Sequence, residues 1–557
     1  MPSDSTMPRL DRPDRESLSA DLATRSVSAG WLITACGCVA FGLAAAIIPK
    51  SAAWDLRNYH YYIPYSFLND RANTDAFAAH IQTYLNPLPE LPFYWLNGLL
   101  PGRKLAFLLG AIQGLNFGLL YLLVRRVMPT SIFTAIGLAA IGVCGACSLS
   151  EIGTTFYDYL SVSGVLASLL LMTDRRRDAH AGRTILFRSF MAGLPLGLAA
   201  GAKLTAAIYA PAFVVAVFLV RGRGRRGVVD AVAAAGGVAL GTLLLGGYWM
   251  AHLWTTTGDP VFPFFGGLFP GSAAAGAPSH DVSFLPRTLE EWLLYPLGMT
   301  LVPRRVAEME WRDYRFLLMY VLAVIPLLEP IRRWRAGGDH LGGTDPRLFD
   351  TLSIFAGLSY LTWLCTFAIW RYAQPLETLA PLLIALWVRA LPLDKRTGNA
   401  VLTVLLLAVA ITVRPADWGR VAWGPWRESF VSARVPPVVP ADALVLLAGP
   451  QPTAYLAPFF PPTTHFVRIS SDRLSTPFLR LPAMQDRIGA LLARDWKGSF
   501  VLIAPKKEED QEAQIRSILR DLAAVGFRAK LDACAAISTS LAIDGEPQLC
   551  PLVRIGV

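Results

Sequence analysis

The chain has 557 residues, 54% of them hydrophobic and only 17% charged, with a mean hydropathy of +0.42. Soluble domains carry about 25% charged residues, so this composition excludes a purely soluble protein. A net charge of +10 could suit nucleic acid, but the Lys and Arg residues stand in short clusters between apolar runs, which is the topogenic pattern of a membrane protein and not a nucleic-acid interface.

Residues 1–26 read as a cytoplasmic tail. With about 25 polar residues ahead of a long first apolar run, no cleavable signal peptide is expected. Apolar runs then occur at roughly 27–49, 105–124, 131–149, 159–173, 188–201, 204–220, 228–250, 315–331, 350–369, 374–391 and 398–414. At about 20 residues per crossing these give about eleven transmembrane helices. The stretch 188–220 is divided at Gly201-Ala202-Lys203, because a charge in mid-bilayer costs more than a turn.

Basic clusters follow every even-numbered run: Arg125-Arg126, Arg175–Arg177, Arg221 with Arg223, Arg225 and Arg226, then Arg332, Arg333 and Arg335, and Lys395-Arg396. Arg9, Arg12, Arg15 and Arg25 precede the first run. By the positive-inside rule the N-terminus is cytoplasmic, and the long loops 50–104 and 251–314 face outward with everything after 414. Leu91–Leu100 is apolar but too short to span, and reads as an interfacial helix on the outer leaflet.

After Arg414 the composition changes. Residues 442–448 and 499–504 read as buried strands and 508–525 as a charged amphipathic helix, so 415–557 is expected to form a small extracytoplasmic α/β domain. The expected fold class is therefore an all-α polytopic membrane domain over 27–414 with an outer α/β domain behind it.

Five cysteines, Cys36, Cys38, Cys144, Cys147 and Cys365, lie in apolar runs and read as small packing residues. Cys144-x-x-Cys147 has redox spacing but no basic neighbour to lower a thiol. Cys534 and Cys550 lie in the polar tail and can pair there if it is in an oxidising compartment, closing a loop of about 15 residues.

The chemistry-bearing residues gather in the outward segments. Trp54-Asp55-Leu56-Arg57-Asn58-Tyr59-His60-Tyr61-Tyr62 follows directly on the first run. A lone carboxylate against the membrane surface, among aromatics, suits a catalytic base acting on a lipid-linked substrate. The short second loop supplies Glu151 and Asp158, the latter a partner for Asp55 in binding or orienting a hydroxyl or the head of a helix cap. Lys203 and Arg371-Tyr372 sit where runs leave the membrane. They can neutralise a lipid phosphate or simply reach the headgroups, with Arg304, Arg305 and Arg312 as alternatives for the same task. Two His, two Asp and a Glu among the first-loop groups (Asp55, His60, Asp70, Asp75, His80 and Glu90) could ligate a divalent metal, but their spacing matches no zinc or calcium pattern, so the metal has no support and no cofactor is assigned.

These residues resemble the GT-C superfamily of polyprenyl-phosphate-sugar-dependent glycosyltransferases, which includes protein O-mannosyltransferases and aminoarabinose transferases. The likeness is carried by Asp55 just after the first run, Asn86-Pro-Leu-Pro-Glu-Leu-Pro-Phe-Tyr-Trp-Leu96, Val124-Arg-Arg126, Asp158, Gly197-Leu-Ala-Ala-Gly-Ala-Lys203, Thr257-Gly-Asp-Pro-Val-Phe-Pro263 with Asp259 in place of an Asn, and Trp370-Arg-Tyr-Ala-Gln-Pro375. Leu56 departs from the Glu that often follows the first-loop Asp in mannosyltransferases.

The resemblance implies an inverting membrane glycosyltransferase of the bacterial inner membrane, with its active site on the periplasmic side. Its donor is a polyprenyl-phosphate sugar and its acceptor a glycan, lipid or protein hydroxyl. Asp55 and Asp158 would be catalytic, and Arg57, Tyr59, His60, Asn86, Glu151, Lys203, Arg371 and Tyr372 would bind substrate. The rivals are a flippase, which places its ionisable groups near the bilayer midplane in matched halves, and a ligase transferring a whole lipid-carried glycan.

Overall fold

The computed structural model describes residues 12–173, 182–222, 224–269, 271–272, 280–325, 341, 343–449, 451–472, 475–504 and 511–555, with the side chains of 12–28 and 182–185 left aside. Arg9, Arg175–Arg177, Arg223, Arg332, Arg333 and Arg335, the end of the 315–331 run and the start of the 508–525 helix lie outside the described residues, as do the side chains of Arg12, Arg15 and Arg25.

The chain is mostly helical, with a small sheet region at its C-terminal end. Among the described residues six helices are long and apolar enough to cross a membrane: Ala29–Ile47, Gly102–Val127, Leu204–Arg221, Arg225–Thr257, Pro346–Thr366 and Lys395–Thr412. This makes it a multi-pass membrane protein, but it does not reproduce eleven spans. Four more apolar helices, Ile132–Val143, Asp158–Met172, Leu186–Ala202 and Arg315–Val324, are shorter.

The 131–149 run shows why. It breaks into Ile132–Val143 and Ala146–Ser150, because the buried Glu377 carboxylate accepts hydrogen bonds from the backbone N–H groups of Cys147 and Ser148 at 3.0 and 3.1 Å. Hydropathy cannot report a polar anchor brought in from 230 residues away. The division of 188–220 matches the structure: Gly182–Ala202 ends at Lys203, and a 3-10 turn, Leu204–Tyr209, leads into Ala210–Arg221.

Small residues let the helices pack closely. A methyl group on Gly193, Gly197 or Gly201 would strike the backbone of the 225–257 helix near Ala234, Val238 and Thr242, so these two helices run parallel. Gly37 against Gly114, and Gly110 against Phe41, bring the first helix and Gly102–Val127 together antiparallel. One end of the bundle thus carries the turn after Ile47 with Asp158, Lys203 and the 370–373 turn. The other carries Arg125, Arg126, Arg221 and Arg225.

The C-terminal sheet has the order His465–Arg468, Ala443–Leu447, Gly498–Ile503, Gln548–Arg554, Phe527–Ala529. Its first three strands are parallel, and Gln548–Arg554 pairs antiparallel with its neighbours. All five residues of Ala443–Leu447 are buried, as befits a strand covered on both faces. Cys534 and Cys550 are joined by a disulfide beside the Leu549↔Ala535 pairing.

The sheet is stitched to the first loop. Ala76 pairs with Val467 at its edge, and Asp75 accepts from the Phe466 N–H at 3.0 Å and holds Arg71, which donates to the Pro462 carbonyl at 2.9 Å. Lys50 and Ser51 pair with Val421 and Arg420, and Asn97 donates to the Val431 carbonyl at 2.9 Å. The loop that carries Asp55 is thereby clamped between the bundle and the sheet.

Candidate active site

Asp55 opens a single π-helical turn, Leu56–His60, and makes no capping bond with its side chain. Such turns are uncommon and concentrate at functional sites. Asp55 Oδ2 instead meets Arg371 Nη1 at 2.9 Å and accepts from the Tyr59 hydroxyl at 3.2 Å. Arg371 arrives on the short turn Trp370–Ala373 between two apolar helices. Its guanidinium lies 4.4 Å from the Phe156 ring centroid and 5.0 Å from that of Trp418, so its apolar faces are covered and its edge is presented to the site.

A second acid–cation pair stands beside the first. Asp158, the first residue of its helix, faces Lys203 Nζ at 2.6 Å, and Lys203 also donates to the Phe156 carbonyl at 2.7 Å. Lys203 lies 5.6 Å from the Tyr372 ring centroid. Phe156 therefore joins the pairs, giving its carbonyl to one cation and its ring to the other. Glu151 is fully buried, and its Oε1 accepts from the Cys147 thiol at 3.6 Å.

The electrostatics separate the carboxyl groups. Burial pushes Asp55 up, but the Arg371 guanidinium, helped by His60 and Lys203, outweighs it and holds the group below the ordinary carboxylate range. Burial, and then the Asp158 carboxylate, drive Glu151 well above that range. Two carboxyls of one site with proton affinities pushed apart can serve as base and neutral hydrogen-bond donor.

Glu90 was read as one of several loop acids and proves central. Its Oε1 meets His60 Nδ1 at 2.6 Å, and the His60 ring packs edge-on against Tyr157, the residue before Asp158, with ring centroids 5.6 Å apart. Tyr157 has φ of 61°, a left-handed backbone that a bulky residue rarely adopts. The Glu90–His60 pair thus links the Asp55 turn to the Asp158 turn through the His60–Tyr157 ring contact. Trp418 was also missed: its indole donates to Ser150 Oγ at 3.2 Å while its ring covers Arg371. Its position just beyond the last apolar run was the only available signal.

The structure brings together Asp55, Tyr59, His60, Glu151, Asp158, Lys203, Arg371 and Tyr372. Tyr372 contributes its ring to Lys203 and its carbonyl to the Tyr209 hydroxyl at 2.6 Å. Two other candidates are engaged elsewhere. Arg57 Nε donates to the Ala52 carbonyl at 2.8 Å, and its charge faces Tyr455 and Asp544. Asn86 donates to the carbonyls of Gly201 and Leu245 at 3.0 and 2.9 Å, tethering the first loop to two helices.

The alternative cations are also spoken for. Arg304 pairs with Glu310 and Arg305 with Glu291, each at 2.7 Å, and Arg312 Nε donates to the Thr412 carbonyl. Asp259 is buried in a turn, accepting from the Val261 N–H and the Ser272 hydroxyl. The first-loop groups proposed as metal ligands are parcelled out: Asp75 to Arg71, His80 to Ser471 and Asp472, His60 to Glu90.

The sequence model of Glycosyltransferase family 87 matches residues 84–339. The chain is a membrane glycosyltransferase. The matched stretch contains Glu90, Glu151, Asp158 and Lys203, and it lies between Asp55 and Arg371 in the sequence. No curated protein matches the chain.

Proposed function

We propose that the protein is an inverting glycosyltransferase of GT-C type, taking its sugar from a polyprenyl-phosphate donor and passing it to a hydroxyl of an extracytoplasmic glycan, lipid or protein. The reading is carried by one observation: two acid–cation pairs, Asp55–Arg371 and Asp158–Lys203, share one end of an apolar helix bundle. A lipid phosphate held at the membrane surface needs cations at that depth, and the acceptor needs a base beside them.

In the step envisaged, the acceptor oxygen attacks the anomeric carbon while its proton passes to Asp55. The new C–O bond forms as the bond to the phosphate oxygen breaks, and the phosphate leaves with the electron pair. Arg371 and Lys203 offset its charge, with Asp158 paired beside Lys203. The basic residues at the opposite end of the bundle support a cytoplasmic orientation for that end, and with it a site and C-terminal sheet on the periplasmic side of a bacterial inner membrane. The sheet region, clamped to the Asp55 loop, would shape the acceptor groove.

The test uses cells lacking the protein. A polyprenyl-phosphate sugar should accumulate there and return to its normal level when the wild-type chain, but not Asp55→Asn, is restored. Unchanged lipid-linked sugars would sink the proposal.

A further inference from the structure

Arg371 is engaged by a carboxylate of this chain. Its Nη1 holds Asp55 Oδ2 at 2.9 Å, and its Nε is buried with no hydrogen-bond partner. The pair is largely covered, with side-chain exposures of 12% and 15%. An N–H without a partner, on a guanidinium that keeps some exposure and holds its counter-ion through one contact, can donate to a further anion. A carboxylate bound to that guanidinium is a poor proton acceptor, because the charge that stabilises it as an anion disfavours its protonated form.

We propose that the phosphate group of the donor and the Asp55 carboxylate compete for the charge of Arg371, so that donor binding loosens Asp55 and converts a neutralised counter-ion into a working base. This rests on the donor reading above and adds an order to it: the donor binds first, and the acceptor meets an active base only afterwards. The groups that face Asp55 are Arg371, His60, Lys203 and Tyr59. Arg371 in turn faces Asp158, Tyr372 and the exposed Glu308. Arg371 is the largest of the influences that keep Asp55 ionised against its burial. Once a phosphate shares that charge, burial prevails and the proton affinity of Asp55 rises. Linkage makes the effect reciprocal: whatever favours an uncharged side chain at position 55 must tighten phosphate binding by the same factor.

The consequence runs against the usual expectation for a catalytic residue. Replacing it should strengthen ligand binding. The probe is a short polyprenyl methyl phosphodiester, which carries one negative charge at every pH used, titrated into the full-length protein in detergent by calorimetry. Asp55→Asn should bind it about tenfold more tightly than wild type, and Arg371→Ala should lose binding. Wild-type affinity should also rise as pH falls through the titration of Asp55, with proton uptake seen between buffers of different ionisation heat. Both effects should vanish in Asp55→Asn.

Unchanged or weaker binding by Asp55→Asn overturns the proposal, as does a pH slope that persists without Asp55. If the variant does not fold, the absence of proton uptake by wild type overturns it alone. Arg371-dependent binding without the Asp55 effect leaves the donor reading standing. Failure of the probe to bind wild type and Asp55→Asn alike removes both.

Discussion

Two buried arginine–carboxylate assemblies lie close together in this protein and are built differently. Arg315 pairs with Asp313 with both side chains 0% exposed, and its Nη1 donates to the carbonyls of Ile141, Gly142 and Glu377. Asp313 also accepts from the Ala146 N–H, and Glu377 takes the N–H groups of Cys147 and Ser148. Its partners are mostly backbone, and its effect is to hold a broken helix in place. Arg371 and Asp55 keep some exposure, meet through one contact, and have aromatic rings where Arg315 has carbonyls. A charge fixed by backbone serves the fold, whereas a charge held by one side chain and aromatic faces can exchange its partner for a ligand.

The contrast breaks most readily at the cations. Arg371→Ala should abolish transfer. Arg371→Lys should be far more damaging than Lys203→Arg, because only arginine offers a planar fork to phosphate. Equal tolerance of both exchanges in a transfer assay would erase the distinction between them. Next in size, Asp55→Asn should lower turnover by about 10²-fold or more while the protein still purifies as a folded species. Wild-type rates would move the base to Asp158.

Arg315→Met sharpens the other half. Leaving Asp313 buried without its partner should cost about 3–5 kcal/mol of stability. Folded protein recovered at low temperature should keep its KM for the donor, measured alongside thermal unfolding. Reducing the Cys534–Cys550 bridge, which spans 16 residues, should cost roughly 3 kcal/mol in the sheet region and leave the bundle intact, as read by hydrogen exchange.

The smallest effect is on pH dependence. With its carboxyl held below the ordinary range by Arg371, Asp55 loses its charge only as pH falls below about 3.9. Its stabilising contribution is present above that value and lost below its folded one. The acid limb of kcat/KM for the donor should therefore lie low. The limb of kcat, which reports the donor complex, should lie higher. Coincident limbs would contradict the exchange of partners.

Much of this was legible because polarity at a helix exit is conspicuous. Asp55, Asp158, Lys203 and Arg371 each interrupt or end an apolar run, and period and charge alone pick them out. Their pairing was not legible: Asp55 and Arg371 are 316 residues apart, and nothing local selects one partner over Arg304 or Arg312. Glu90 escaped notice because its work is done through His60 and Tyr157, two residues from other segments. The strands at Ala443–Leu447 and Gly498–Ile503 were visible as short buried runs. The union of their sheet with Ala76, through Val467 of the edge strand His465–Arg468, was not, since a single edge pairing leaves no periodic trace.

The most direct measurement is the position of a bound phosphate. In a structure with the polyprenyl methyl phosphodiester, the account places its phosphorus within about 4 Å of the Arg371 guanidinium, at contact distance for an ion pair, with the Asp55 carboxylate drawn away from Nη1. A phosphate lying more than about 8 Å from both Arg371 and Lys203, near one Debye length at physiological salt, would contradict it.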